Sequence, residues 1–167
     1  MERDLQIHPR CLATLRAELS SLIAHFSALG FEACELLFGW AWRESERDPE
    51  PSWKIIRTPL AEVEREIRKE EEAGLGEFGR DDVWLLVGGK RLRIRFCPNS
   101  GIHVFSTGPE PLADPFFRRW DAAGLGPTEW EKAPDRPGWT LLRGTCTWDP
   151  PRPWAPADSA PSWKPCP

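Results

Sequence analysis

The chain has 167 residues, a formal net charge of -4 at pH 7 and a pI near 5.5, which argues against the broad positive field that drives non-specific nucleic-acid binding. Hydrophobic residues make up 40% and charged residues 29%, an ordinary globular balance that points neither to wholesale disorder nor to a membrane protein, and the length suits one domain with one core. No apolar run approaches the ~20 residues needed to span a bilayer, and Met1, Glu2, Arg3 and Asp4 do not form the basic start of a secretory signal, so a cytoplasmic location is expected.

From Pro9 to Leu29 the apolar residues Leu12, Leu15, Leu19, Leu22, Ile23 and Phe26 recur at three- and four-residue steps, which predicts an amphipathic helix. Pro9 suits its first turn and Gly30 the left-handed position beyond its end. Phe31 to Arg43 then alternates, with Cys34, Leu36, Phe38, Trp40 and Trp42 on one face, and reads as a long strand. Residues 44–51 hold charges and two prolines and should be an exposed loop, followed by a short strand from Trp53 to Arg57. Thr58 and Pro59 have the cap-then-proline form of a helix start, and Leu60, Val63 and Ile67 give the helix that follows one narrow apolar stripe ending before Gly74. Glu64 and Arg68 are spaced for an ion pair on it, and Glu70, Glu71 and Glu72 crowd its C-terminus.

Residues 83–87, 90–97 and 101–107 are three alternating runs separated by Gly88 and Gly89 and by Pro98, Asn99 and Ser100, the pattern of an antiparallel meander. A two-residue glycine turn sets Val87 opposite Lys90, Leu85 opposite Leu92, Val83 opposite Ile94 and Trp84 opposite Arg93; a three-residue second loop sets Phe96 opposite Ile102, Ile94 opposite Val104 and His103 opposite Arg95. The outward face then carries Trp84, Leu86, Arg91, Arg93, Arg95, His103 and Phe105. Asp114 and Pro115 repeat the helix-start signal before Phe116, Phe117 and Trp120, and this short helix should pack on the sheet. Trp130 and the run from Trp139 to Leu142 suggest two further short strands. The expected fold class is therefore α+β: an antiparallel sheet, made of a long strand plus a three-stranded meander, packed against an N-terminal amphipathic helix with two shorter helices. Residues 1–143 form the single domain, and residues 144–167, rich in proline and holding Trp148, Trp154 and Trp163, form an extended or disordered tail.

Arg91, Arg93 and Arg95 project together at the two-residue strand period beside Trp84, His103 and Phe105, the mixture of planar cations and aromatic rings found at interface hot spots and suited to an acidic partner. The plainer reading is that the arginines cover the solvent side of a sheet or pair with the glutamates of a helix packed there. A single-stranded nucleic-acid platform would use the same ingredients, but the acidic net charge and the lack of any RNP-like pattern count against it. A second interaction element is acidic: Glu44, Glu46, Asp48 and Glu50 in the loop, with Glu70 to Glu72, could mimic phosphates toward a basic partner, against the simpler reading of a solvated charge run.

The five cysteines, Cys11, Cys34, Cys97, Cys146 and Cys166, are scattered without a C-x-x-C pair, so free thiols in a reducing compartment are expected. Cys97 and His103 lie in adjacent strands and project toward the arginine face; with Asp82 they define an enzymatic alternative, although no third orienting residue is identifiable and a structural thiol is the simpler reading. Asp81, Asp82 and Glu77 could be carboxylate ligands or an acid and base, but no metal or nucleotide motif accompanies them, and His8 and His25 read as ordinary, one at a helix start and one on a helix flank. No cofactor or metal is expected. The α-β-α-βββ-α order and small acidic build resemble bacterial immunity proteins that neutralise toxins, a likeness of general build that names no residue. The leading expectation is a non-catalytic protein-binding module of that inhibitor type, with a small enzyme as the alternative.

Overall fold

A computed structural model describes residues 2–9, 11–39, 54–89, 91–97, 101–107, 114–132 and 140–144. The expected loop at 44–51, with Glu44, Glu46, Asp48 and Glu50, the continuation of the long strand through Trp40 and Trp42, and the tail at 145–167 lie outside these residues.

The elements are β1 (Glu2–Ile7), α1 (Leu12–Ala28), β2 (Ala33–Phe38), β3 (Lys54–Pro59), a 3-10 turn (Leu60–Glu62) running into α2 (Val63–Glu72), β4 (Val83–Val87), β5 (Leu92–Phe96), β6 (Ile102–Thr107), α3 (Asp114–Ala122), β7 (Thr128–Lys132) and β8 (Thr140–Arg143). The strands make one eight-stranded sheet in the order β3-β2-β4-β5-β6-β1-β7-β8, and every neighbouring pair is antiparallel. The α+β class, the N-terminal helix and the two further helices are as expected.

Among the described residues, sheet and helices meet on one side only. Leu36, Leu85, Ile94, Val104 and Leu5, one from each of five strands, are buried in a single cluster with Leu15, Leu19, Leu22 and Phe26 of α1, Val63 and Ile67 of α2, and Phe116 and Trp120 of α3. All three helices thus cover the same face, each through the apolar stripe its spacing provides. Trp120 is fully buried, and its indole Nε1 donates to Glu18 of α1 at 2.6 Å. The His25 and Phe116 rings meet at 4.6 Å, so α3 is anchored on α1 as well as on the sheet.

Four expectations are corrected. The N-terminal segment is a strand, β1, inserted between β6 and β7. Its three charges among six residues hide the pattern, yet Leu5 and Ile7 point into the core at 0% and 1% exposure. Helix α1 accordingly begins after an extended Cys11 rather than at Pro9.

Thr58 and Pro59 close β3 instead of opening a helix, because their backbone pairs with Cys34 and Ala33 and the Leu60 N–H donates to Glu32 at 2.9 Å. Since β3 is an edge strand, the missing proline N–H costs nothing there.

The β4–β5 turn spans 88–91, so Val87 pairs with Leu92, Leu85 with Ile94, Val83 with Phe96 and Trp84 with Arg95. The two-residue register would have set Lys90 against Val87 and left Phe96 without an apolar partner on β4; the observed one aligns three apolar pairs there. Because the slip is two residues, every side chain from Leu92 to Phe96 keeps its expected face. The β5–β6 register is the expected one, including Arg95 opposite His103.

Finally, Glu70 and Glu71 are not solvated. Glu70 is buried and receives Lys54 Nζ at 3.0 and 3.1 Å, while Glu71 receives Arg16 at 2.8 and 2.9 Å and the Phe78 N–H at 2.9 Å. Of the acidic trio only Glu72 is exposed. The Glu64–Arg68 pair is present at 4.0 Å.

Candidate functional site

Strand alternation that sends Leu85, Ile94 and Val104 into the core sends Trp84, Leu86, Arg93, Arg95, His103 and Phe105 to the opposite face. No helix among the described residues packs there. One cross-strand file on this face runs from Arg57 and Glu35 through Leu86, Arg93, Phe105 and Asp4 to Trp130 and Leu141, spanning all eight strands. Its neighbour carries Ile55, Leu37, Trp84, Arg95, His103 and Gln6.

At the centre the rings are organised. Trp84 and Phe105 lie nearly parallel at 5.7 Å and 16°, and Phe105 and His103 at 5.8 Å and 9°. The Arg93 and Arg95 guanidiniums sit 5.4 Å from the Phe105 and Trp84 ring centres. The three rings and two planar cations form a continuous, half-buried platform.

The arginine column is only partly available to an acidic partner. Arg93 is hydrogen-bonded to Glu2 of β1, and Arg95 makes a two-point contact with Asp82 at 2.8 and 3.0 Å. Burial opposes the charge on Arg95, but the Asp82 hydrogen bonds and charge outweigh it and raise its pKa. Arg91 is displaced from the expected column: it lies in the turn, exposed, at the end of the face. The partners of the column come from β1 and from the segment before β4, not from a packed helix.

Beside the platform is a second cluster. His103 Nδ1 lies 3.1 and 3.3 Å from the two carboxylate oxygens of Asp4, and the same ring is hydrogen-bonded to Cys97. Burial disfavours the imidazolium, yet the hydrogen bonds to Asp4 and Cys97 and their electrostatic attraction raise the pKa to about 9. Protonated, the ring has an N–H for each partner. Edge-on at 6.2 Å stands His8, exposed on its outer side; partial desolvation and the His103 cation lower its pKa against the pull of Asp4. A Cβ on Gly101 would stand 2.7 Å from the Cys97 sulfur and 3.1 Å from the His8 ring, so only glycine lets these groups approach.

Comparison with family models, with curated proteins and with solved structures gave no match to this chain. The residues must speak for themselves.

The structure brings together Trp84, Arg93, Arg95, His103 and Phe105, joins Cys97 to His103, and holds Asp82 on Arg95 rather than on the thiol. Asp4, which sequence reasoning passed over, and His8, which it read as ordinary, complete the cluster. Their signal was the alternation of Leu5 and Ile7, which puts Asp4 on the opposite face from both. Asp81 serves its own turn, accepting the Glu77 N–H at 2.8 Å; burial raises its pKa against that hydrogen bond. Among the described residues no group of three His, Cys, Asp or Glu side chains could hold a metal ion. No helix among them is long and apolar enough to cross a membrane. Cys34 and Cys97 are free thiols, whereas Cys11 is disulfide-bonded, so the expectation of thiols throughout is corrected there.

Proposed function

We propose that the chain is a non-catalytic protein-binding module that receives its partner on the open face of the sheet, acting as an inhibitor of the immunity type that neutralises a toxin or other effector. The observation that carries this reading is the asymmetry of the sheet. Three helices cover one face, and the other keeps an aromatic and arginine centre in partial contact with water. Apolar side chains continue to both edges, where Ile55 is 62% and Leu141 37% exposed. Rigid aromatic rings flanked by guanidiniums are the composition that anchors protein interfaces.

Charge bookkeeping favours protein over nucleic acid as the partner. The two central arginines are opposed by Glu2 and Asp82, and His103 by Asp4, so little net positive potential is left to attract a phosphate chain. What remains is a mostly neutral surface whose planar groups exclude water on contact.

Affinity capture from native cell lysate at low and high salt tests this reading, with wild type beside Trp84→Ala. A stoichiometric protein should be retained by wild type at both salts and lost by the variant, since truncating a central tryptophan costs about 2 kcal/mol, roughly thirtyfold in affinity. Capture of a nucleic acid, or of a protein that the variant holds equally well, contradicts it.

A further inference from the structure

We propose that Cys97 is a site of thiol–disulfide exchange with low-molecular-weight disulfides, with His103 as its proton donor and Asp4 as the positioning residue. The inference goes beyond partner binding: it shares His103 with the aromatic platform but turns on Cys97 and Asp4, which that reading does not use.

Three strands build the arrangement. Cys97 follows β5, His103 is on β6 and Asp4 on β1, and the order β5-β6-β1 places His103 between the other two. Asp4 grips Nδ1 through both oxygens, which fixes the ring plane, and the ring's hydrogen bond to Cys97 aims a proton at the sulfur. Asp4 and His103 side chains are 11% and 17% exposed, so their attraction is little weakened by water. The other groups facing the sulfur are His8, which stands across Gly101, and the Arg95 guanidinium, itself held by Asp82. A neighbouring imidazolium and guanidinium favour the thiolate, the form that attacks. Cys34 provides the contrast within the same chain: burial, then Glu35, pushes that thiol up to about 12.

The step balances without an external oxidant. The Cys97 thiolate attacks one sulfur of the incoming disulfide and forms a new S–S bond as the old one breaks. The departing sulfur keeps the electron pair and takes the proton of the His103 imidazolium, leaving as a thiol. One disulfide and one thiol-level sulfur enter, and one of each leaves. Acyl transfer would ask in addition for donors aimed at a developing oxyanion, whereas exchange asks only for thiolate, proton donor and access. Cys97 is 5% exposed, which limits access to small reagents.

The test exposes the full chain to hydroxyethyl disulfide between pH 5 and 10 and follows the mixed disulfide at each cysteine by peptide mass mapping. We expect Cys97 to react at pH 7 at least about tenfold faster than Cys34, with a rate that stays level from pH 9 down to pH 7 rather than falling as it does for an unassisted thiol of pKa ~8.5. Asp4→Asn, with its fold checked by circular dichroism, should slow Cys97 at pH 7 by about tenfold and restore the ordinary slope. The idea is overturned if wild-type Cys97 is silent at pH 7 or its rate climbs steadily through pH 9. An unchanged profile in a folded Asp4→Asn variant removes Asp4 from the device. Should that variant unfold, the wild-type profile decides alone.

Discussion

His103 owes its charge to Asp4 and Cys97, and this makes stability depend on pH in a definite direction. Its folded pKa of about 9 lies above the ordinary 6.5, so the stabilisation is complete below about pH 6.5 and is lost as pH rises through about 9. The full effect is about 3 kcal/mol. Urea unfolding of wild type at pH 6.5 and pH 10 should show a fall of that order, and His103→Gln should flatten it; equal pH slopes in the two proteins would contradict the assignment. Glu70 and Glu64 make a second comparison on one helix. Glu70 is buried against Lys54, while the Glu64 and Arg68 side chains are 42% and 64% exposed. Glu70→Ala should cost about 1–3 kcal/mol, and Glu64→Ala under about 0.5 kcal/mol, measured by the same unfolding experiment. The arginine column was readable at this scale because strand period fixes which way a residue points. Its neutralisation was not, since Glu2 is 91 positions from Arg93 in the chain and no local pattern pairs them.

Among the elements, those with an internal period were legible: α1, α2, the three meander strands and α3 stand where apolar spacing puts them. β1 was not, because Glu2, Arg3 and Asp4 resemble a solvated terminus until β6 and β7 supply partners on both sides. Thr58 and Pro59 were misread for the same kind of reason: a cap signal is local, and ladder pairing with Ala33 and Cys34 overrides it. These corrections carry consequences for stability. Leu5→Ala, in the strand bordered by β6 and β7, should destabilise by about 2–5 kcal/mol, as for any fully buried leucine. A surface-like loss below about 0.5 kcal/mol in a denaturation series would mean that β1 is not in the sheet. Trp120→Ala removes both a buried indole and the donor to Glu18, and about 3–5 kcal/mol should go with it by the same measurement.

For the molecule as a whole, the decisive feature is that three helices share one face of an eight-stranded sheet. The sequence pattern separated core-facing from outward residues correctly in the meander, and so located the platform of Trp84, Phe105 and His103. It could not tell whether an element lies over that platform, because coverage is a matter of where helices dock and not of strand period. The most direct test places a photo-crosslinking side chain at Leu86, on the open face, and in a second protein at Ala24, on the exposed side of α1. Each is irradiated in native lysate, and the attached chains are sequenced. The account predicts one protein joined at Leu86 and lost when Trp84→Ala is added, with no such product at Ala24. The same protein joined at Ala24 and absent at Leu86 would contradict it, and would move the binding surface to the helical side.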